Sequence, residues 1–386
     1  MLGKVEEKTQ LSAEFTHATT MRRRIMDYIT DAMEMVEHLK SPAFCVREGI
    51  ITNVNSAAAS RMIDPGTPIS DFLKTGIEEY RDFAEGCLYL TLNICGQTLG
   101  FSVTRKHGFD LFQLEQDTAD LELQALALAA RELREPLASI MISTEQLIPN
   151  AASETNPAAA AQVARINRGL FQMLRLISNM SDANRYATDN SVSMEVKNIP
   201  ALLEEVFSKA ASLVSHSGIR LEYTGIAEPV YGLVNSEMLE RAVLNILSNA
   251  LKFTPQDGHI QATLQQKNNK LYLSILDNGI GIQQSLRSSI FSRYTREAAL
   301  EDGRFGIGLG FVMIRSTAAR HGGTVLVDHP QETGTRITMT LAIRPGSGKE
   351  VRSPILKVDY AGERDHGLVE LSDVLSSDLY DPRIHH

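Results

Sequence analysis

The sequence predicts a multidomain α+β protein, and three observations carry that expectation. Its 386 residues allow two or three domains at roughly 150 residues each. Two runs of apolar residues between 126 and 180 alternate spacings of four and three, the mark of helices that pair along a seam. On either side of these runs short strands mix with helical stretches, as in packed α+β layers. Hydrophobic residues make up 43% and charged residues 22%, ordinary values for a chain that buries a core rather than staying disordered.

Taken in order, residues 1–40 read as a polar helical lead-in, with Ile25, Tyr28, Ile29, Met33 and Val36 at helical intervals. From Ser41, AFCVREGIITNVN reads as two short strands about a turn, followed by a small-residue helix, SAAASRMI. CLYLTLNICGQTLGFSVTRK reads as two strands joined at Gly96-Gln97, a Gly-X hairpin signal. With FDLFQLEQ as a further strand, 41–115 form a compact α+β module.

Over 116–190, Leu126, Ala130, Leu133, Leu137, Ile140, Thr144 and Leu147 form one seam. A turn-rich break, PNAASETNP, precedes the second seam: Val163, Ile166, Leu170, Met173, Ile177 and Met180. Two such helices joined by a short loop make an antiparallel hairpin. A lone hairpin leaves each seam half covered, so pairing with a second copy into a four-helix bundle is the economical solution. Packing of both seams on this chain's own domains is the alternative.

Residues 191–344 mix strands and helices as one α/β sandwich. Helices fall at VKNIPALLEEVFSKAASLV, SEMLERAVLNILSNALKFT and GFVMIRSTAARHG, and strands at IRLEYTG, IQATLQQ, LYLSILDNG, GTVLVDHP and GTRITMTLAI. Residues 345–386 turn Gly/Ser/Pro-rich and then acidic, which predicts a loosely ordered tail. VELSDVLSSDLY within it is a candidate short docking helix.

Net charge of -9 argues against a broad nucleic-acid-binding surface. Three cysteines are too few for a disulfide framework and point to a reducing cytoplasm. The N-terminus has no apolar core of signal-peptide length, and no window reaches the roughly 18 uncharged apolar residues of a membrane helix. The expectation is a cytoplasmic protein with no membrane span.

Three clusters in the α/β region bear chemistry. In NILSNALKFTP, Asn245, Asn249 and Lys252 share one helix face. Two carboxamides and an ammonium suit a metal-bound polyphosphate, because an Asn oxygen can complete a Mg²⁺ shell and Lys places a point charge on phosphate. In DNGIGI, Asp277 ends a strand where it can accept from an exocyclic amine such as that of adenine. Gly279 and Gly281 let the backbone turn close to a flat ligand. In GRFGIGLGF, Gly306, Gly308 and Gly310 free backbone N–H groups at the start of a helix, where an anion is favoured. Singly, these also fit a solvated helix face, an ordinary turn and a glycine-rich loop.

In this order and context the clusters resemble the N, G1, F and G2 boxes of the GHKL ATPase superfamily, specifically the catalytic domain of sensor histidine kinases. The resemblance covers about 125–344 and implies ATP and Mg²⁺ as cofactors, with Asn249 as the Mg²⁺ ligand. Asn245 and Lys252 would lie near the phosphates and Asp277 on adenine. Gly279, Gly281, Gly306, Gly308 and Gly310 would line the nucleotide under a short lid at about 283–305. Phe291 and Tyr294 would form its hinge, and Arg296 would contact phosphate.

The helical hairpin resembles the dimerisation and phosphotransfer hairpin of the same family, whose acceptor box reads roughly H-E-L-R-T-P-L. The aligned residues here are Arg131-Glu132-Leu133-Arg134-Glu135-Pro136-Leu137. The acceptor histidine is thus Arg131, and the Thr that would orient water for dephosphorylation is Glu135. Pro136 would kink the helix. No histidine lies between His107 and His216, and guanidinium is no practical phosphoryl acceptor. Glu132, in the position of general base, has no imidazole to deprotonate and could pair with Arg131 instead. The module at 41–115 resembles a PAS sensor domain, on the cadence of SPAFCVREGIITNVNSAAASRMI.

The resemblance therefore implies a pseudokinase-like signalling protein that binds ATP-Mg and cannot autophosphorylate on its own hairpin. It would form a homodimer, or a heterodimer with another kinase, and engage a response regulator receiver domain. The alternative is an active kinase that phosphorylates a histidine on a partner chain.

Overall fold

The computed structural model describes residues 36–106, 109–115, 119–147, 157–188, 193–215, 217–282, 290–291, 308–329, 333–344 and 364–381. The chain divides into two compact units, one of residues 1–77 with 91–115, the other of residues 78–90 with 116–386. Residues 1–35 of the lead-in, the hairpin loop at 148–156 and the lid apart from 290–291 lie outside the described residues.

The first unit contains strands β1 (Ala43–Arg47) and β2 (Ile50–Val54) and helix α1 (Ser56–Ala59). Helix α2 (Ile77–Asp82) and strand β3 (Cys87–Ile94) straddle the division, and β4 (Gln97–Lys106) and β5 (Phe109–Leu114) complete the unit. β1 pairs antiparallel with both β2 and β5, and β5 with β4. Phe44 stacks on Phe112 at 4.9 Å and meets Phe101 edge-on at 5.6 Å. Buried Asn55 closes the start of α1. Its Oδ1 accepts from Ala58 and Ala43, while Nδ2 donates to the carbonyls of Leu39 and Ser41, so every polar atom is satisfied.

The second unit opens with two long helices, α3 (Ala119–Leu147) and α4 (Pro157–Thr188). They pack side by side through Ala130, Leu137 and Met141 on one and Leu170, Leu174 and Ile177 on the other. Helix α3 runs through Pro136. Leu133 and Ile140 stay 50% exposed, and Ile166 and Met173 52% and 44%. Two described residues of each predicted seam are therefore left to solvent, and the others are buried or half-buried within the chain.

Next come β6 (Glu195–Asn198), α5 (Ile199–Val214), β7 (Arg220–Thr224), β8 (Tyr231–Val234), α6 (Ser236–Phe253), β9 (His259–Lys267), β10 (Lys270–Asp277), α7 (Leu309–Arg320), β11 (Val325–Asp328), β12 (Thr335–Ala342) and α8 (His366–Glu370). A sheet runs in the order β11-β12-β10-β9-β7, antiparallel except for the β7–β9 pair, and residues 87–89 of β3 extend it beyond β11. β6 and β8 form a separate two-stranded sheet. Neither strand was expected, because four residues give too few alternations to stand out. Leu271, Leu273 and Ile275 of β10 join Leu203, Phe207, Leu239, Val243 and Leu247 of the helices in one core.

Residues 364–381 correct the expectation of a loosely ordered tail. Asp365 caps α8 by accepting from Leu368 N, and Ser376 caps a 3-10 turn at Ser377–Tyr380. Leu368, Val369, Leu371, Leu375 and Tyr380 are buried in the second unit. Acidity alone suggested solvation. The apolar residues interleaved with the acids supply buried area at about 25 cal/mol per Å², which offsets the entropy of ordering.

Candidate functional site

Helix α6 organises the site. Asn235 caps it by accepting from Met238 N at 2.8 Å, and its apolar face lies in the core. Asn245, Asn249 and Lys252, expected to share one helix face, stand along α6 in three environments. Asn245 is buried, and its Nδ2 donates to the Arg241 carbonyl and to Glu370 Oε2. Its Oδ1 accepts from Arg175 Nη2 at 3.4 Å. Asn249, one turn on, is half-buried and its side chain bonds to no described residue. Lys252 Nζ donates to Asp373 Oδ2 at 3.0 Å.

The three predicted clusters converge on this helix. At its C-terminal end the Phe253 carbonyl accepts from Ile280 N at 3.3 Å. A Cβ on Gly279 would stand 2.4 Å from that carbonyl oxygen. Glycine is needed there because two backbones touch. Further along, a Cβ on Gly310 would stand 3.2 Å from Asn245 Oδ1, so the first turn of α7 lies against the middle of α6. Gly308, with φ of 81°, caps α7 in the left-handed region that favours glycine.

Asp277 is buried because alternate residues of a strand share a face, and Leu271, Leu273 and Ile275 take that face into the core. Its Oδ1 accepts from Gly279 N at 2.9 Å and Thr335 N at 3.2 Å, while Oδ2 has no partner among the described residues. Burial pushes its carboxyl above the ordinary range, against the two backbone bonds and the nearby His329, which pull it down. A buried carboxylate with one uncommitted oxygen is suited to accept from a ligand N–H.

A second layer of charge, not singled out in the sequence, lies behind these residues. Arg241 is fully buried and donates through Nε to Glu370 Oε1 at 2.9 Å and through Nη2 to Asn179 Oδ1 at 2.8 Å. Its Nη1 pairs with Asp182. Arg175 of α4 donates through Nε to Glu370 Oε2 at 3.3 Å and through Nη1 to Asp373 Oδ2 at 2.7 Å. Three cations, Arg175, Arg241 and Lys252, thus meet three carboxylates, Asp182, Glu370 and Asp373. Arg241 was legible in one respect, since it precedes Asn245 by one helical turn. Arg175 lies off the predicted seam, between Leu174 and Leu176, and a charge buried there requires a partner.

On the hairpin, Arg131 and Glu132 are both exposed, and neither makes an ion pair with a described residue. The anticipated Arg131–Glu132 pair does not form, because consecutive helical residues do not face each other. Arg296, Gly306, Tyr294 and the lid apart from Ile290 and Phe291 lie outside the described residues. Phe291 sits in the core, 5.7 Å from the rings of both Tyr89 and Phe311. No described helix is long and apolar enough to cross a membrane. No group of three or more His, Cys, Asp or Glu among the described residues could hold a metal ion.

Residues 234–345 match the family model of the histidine kinase-, DNA gyrase B-, and HSP90-like ATPases. The chain is 26% identical over 264 residues to hybrid signal transduction histidine kinase D of Dictyostelium discoideum, covering 66% of this chain and 17% of that protein. It is 28% identical over 246 residues to the adaptive-response sensory kinase SasA of Synechocystis sp., covering 61% and 64%. Among solved structures, full-length ShkA in complex with AMPPNP is 22% identical with a TM-score of 0.48, over 58% of this chain and 47% of that one. The chain spans less than two thirds of the length of each. The similarity is thus to an ATPase domain over 234–345 and, over a longer stretch, to a signal transduction histidine kinase and a sensory kinase.

Proposed function

We propose that this chain is a histidine-kinase homologue that binds ATP with Mg²⁺ and does not autophosphorylate on its own hairpin, acting as a nucleotide-dependent signalling scaffold or regulator. The observation that carries the second half is Arg131, an exposed guanidinium at the acceptor position of a hairpin that contains no histidine. A guanidinium stays protonated and offers no lone pair for phosphoryl attack. The first half rests on the uncommitted Asn249 carboxamide and Asp277 Oδ2, and on Asn245 and Lys252 on the same helix. These fit Mg²⁺, the base amine and the phosphates respectively. Bound ATP-Mg would supply a γ-phosphoryl group with its charge partly neutralised.

In this reading 41–115 is a PAS-like sensor, supported by its antiparallel strands with short helices between β2 and β3. The hairpin pairs with a second copy or with another kinase through its exposed half-seams, and a response regulator receiver domain is the downstream partner. A second reading, phosphorylation of a histidine on a partner chain, is favoured by the same uncommitted Asn249 and Asp277.

Incubation of the chain and its Arg131→His variant with γ-labelled ATP, each alone and with a partner kinase hairpin, separates the two. The expected result is no label on the parent chain or the partner, and label at position 131 of the variant. Label on the partner histidine would replace the scaffold by the transferring enzyme.

A further inference from the structure

The residues proposed to meet polyphosphate already carry acidic partners. Glu370 is fully buried and Asp373 half-buried, and both come from the segment 364–381. Glu370 accepts from Arg241 Nε, Arg175 Nε and Asn245 Nδ2. Asp373 Oδ2 accepts from Arg175 Nη1 and Lys252 Nζ. Charge-assisted bonds to guanidinium and ammonium are what a phosphate would make with the same groups.

The placement is held by specific contacts from elsewhere on the segment. Arg168 donates through Nε to the Ser372 carbonyl at 3.0 Å and through Nη2 to the Asp373 carbonyl at 2.9 Å. Gln172 Nε2 donates to the Ser372 carbonyl and Asn167 Nδ2 to the Tyr380 carbonyl. Tyr380 donates to the Leu368 carbonyl at 2.8 Å and packs edge-on against Phe171 at 5.2 Å. His366 and Glu240 add a bond at 2.8 Å. One side of the segment is therefore fixed by α4 and the core, which leaves its two carboxylates aimed at the cations of α4 and α6.

We propose that residues 364–381 are an intramolecular competitor of the nucleotide polyphosphate, with Glu370 and Asp373 occupying Arg175, Lys252 and Asn245 in its place. The inference rests on the nucleotide-binding reading above and adds its regulation. While the segment is docked, an incoming phosphate meets two fixed negative charges and cations already neutralised. Nucleotide then binds only the fraction of chains in which these contacts are open, and its apparent affinity falls by that fraction. Linkage makes the effect reciprocal, so nucleotide must loosen the segment by the same factor. A signal that displaces 364–381 would open the site without touching it.

The test titrates ATP-Mg into the full chain and its Glu370→Gln/Asp373→Asn variant by calorimetry at one ionic strength. The expected result is at least tenfold tighter binding by the variant. Equal or weaker binding overturns the competition and leaves the nucleotide reading standing; no binding by either chain overturns both. A second measurement needs no substitution: amide hydrogen exchange over 366–375 of the parent chain, with and without saturating ATP-Mg. Faster exchange with nucleotide is expected, and unchanged or slower exchange overturns the proposal whatever the variant does.

Discussion

His321 shows how a single residue is tied to pH. Its Nδ1 lies 2.7 Å from the Thr317 carbonyl and its Nε2 accepts from Asn235 N at 3.1 Å. That pair of partners assigns the proton to Nδ1, and a second proton on Nε2 would face an N–H donor. Burial holds its pKa below the ordinary value of about 6.5, with Arg344 and Arg320 acting in the same direction and the Thr317 bond opposing. The unfolded chain therefore takes up a proton that the folded chain resists, so stability is lost as pH falls from about 6.5 through the lowered value. His321→Gln keeps a donor and an acceptor. Denaturation midpoints from pH 7.5 to 5.5 are expected to fall less steeply for it than for the parent; an unchanged slope would exclude His321 as a source.

Asp277 has the opposite sign. Its folded value is raised, chiefly by burial, so its favourable contribution is present only below about pH 4 and is lost as pH rises through the raised value. The rise reflects the cost of desolvating its charged form. Asp277→Asn is expected to melt no lower than the parent at pH 7.5, with its advantage narrowing as pH falls toward 4. The same change presents a donor to the base amine, so ATP affinity should drop at least tenfold, roughly 1.4 kcal/mol. Parallel melting and calorimetry check both, and a retained affinity would move base recognition elsewhere.

At the scale of elements, α6 was legible because amphipathic period, cap and box residues agree over 236–253. In the tail only the candidate docking segment VELSDVLSSDLY was legible. The burial of Val369, Leu371 and Leu375 depends on α4 and α6, far away in sequence. The seams on α3 and α4 were legible as spacing but not as contact. Leu133 and Ile140 share the predicted seam with Leu137, yet only Leu137 is buried within the chain. Leu133→Lys/Ile140→Lys is expected to abolish self-association, read by sedimentation velocity. Because both side chains are already half-exposed, the hairpin's own stability should change by less than about 1 kcal/mol. A dimer that survives the substitutions would move the contact off this seam.

At the scale of the whole molecule, the sequence by itself determined the α+β class, the two long helices, and the three clusters around Asn245, Asp277 and Gly310. It could do so because helical period, strand alternation and glycine spacing are local properties of the chain. The proposal that Arg131 stands at the acceptor position also comes from the sequence alone, through its resemblance to the phosphotransfer hairpin. Only the tertiary structure decided that α6 joins all three clusters, that Gly279 answers to the Phe253 carbonyl, and that Glu370 and Asp373 close over Arg175, Arg241 and Lys252. The carboxylate contacts of Glu370 and Asp373 link residues 121 to 198 positions apart. A buried charge is tolerated only beside its partner, and which residue becomes that partner is decided by packing rather than by spacing along the chain.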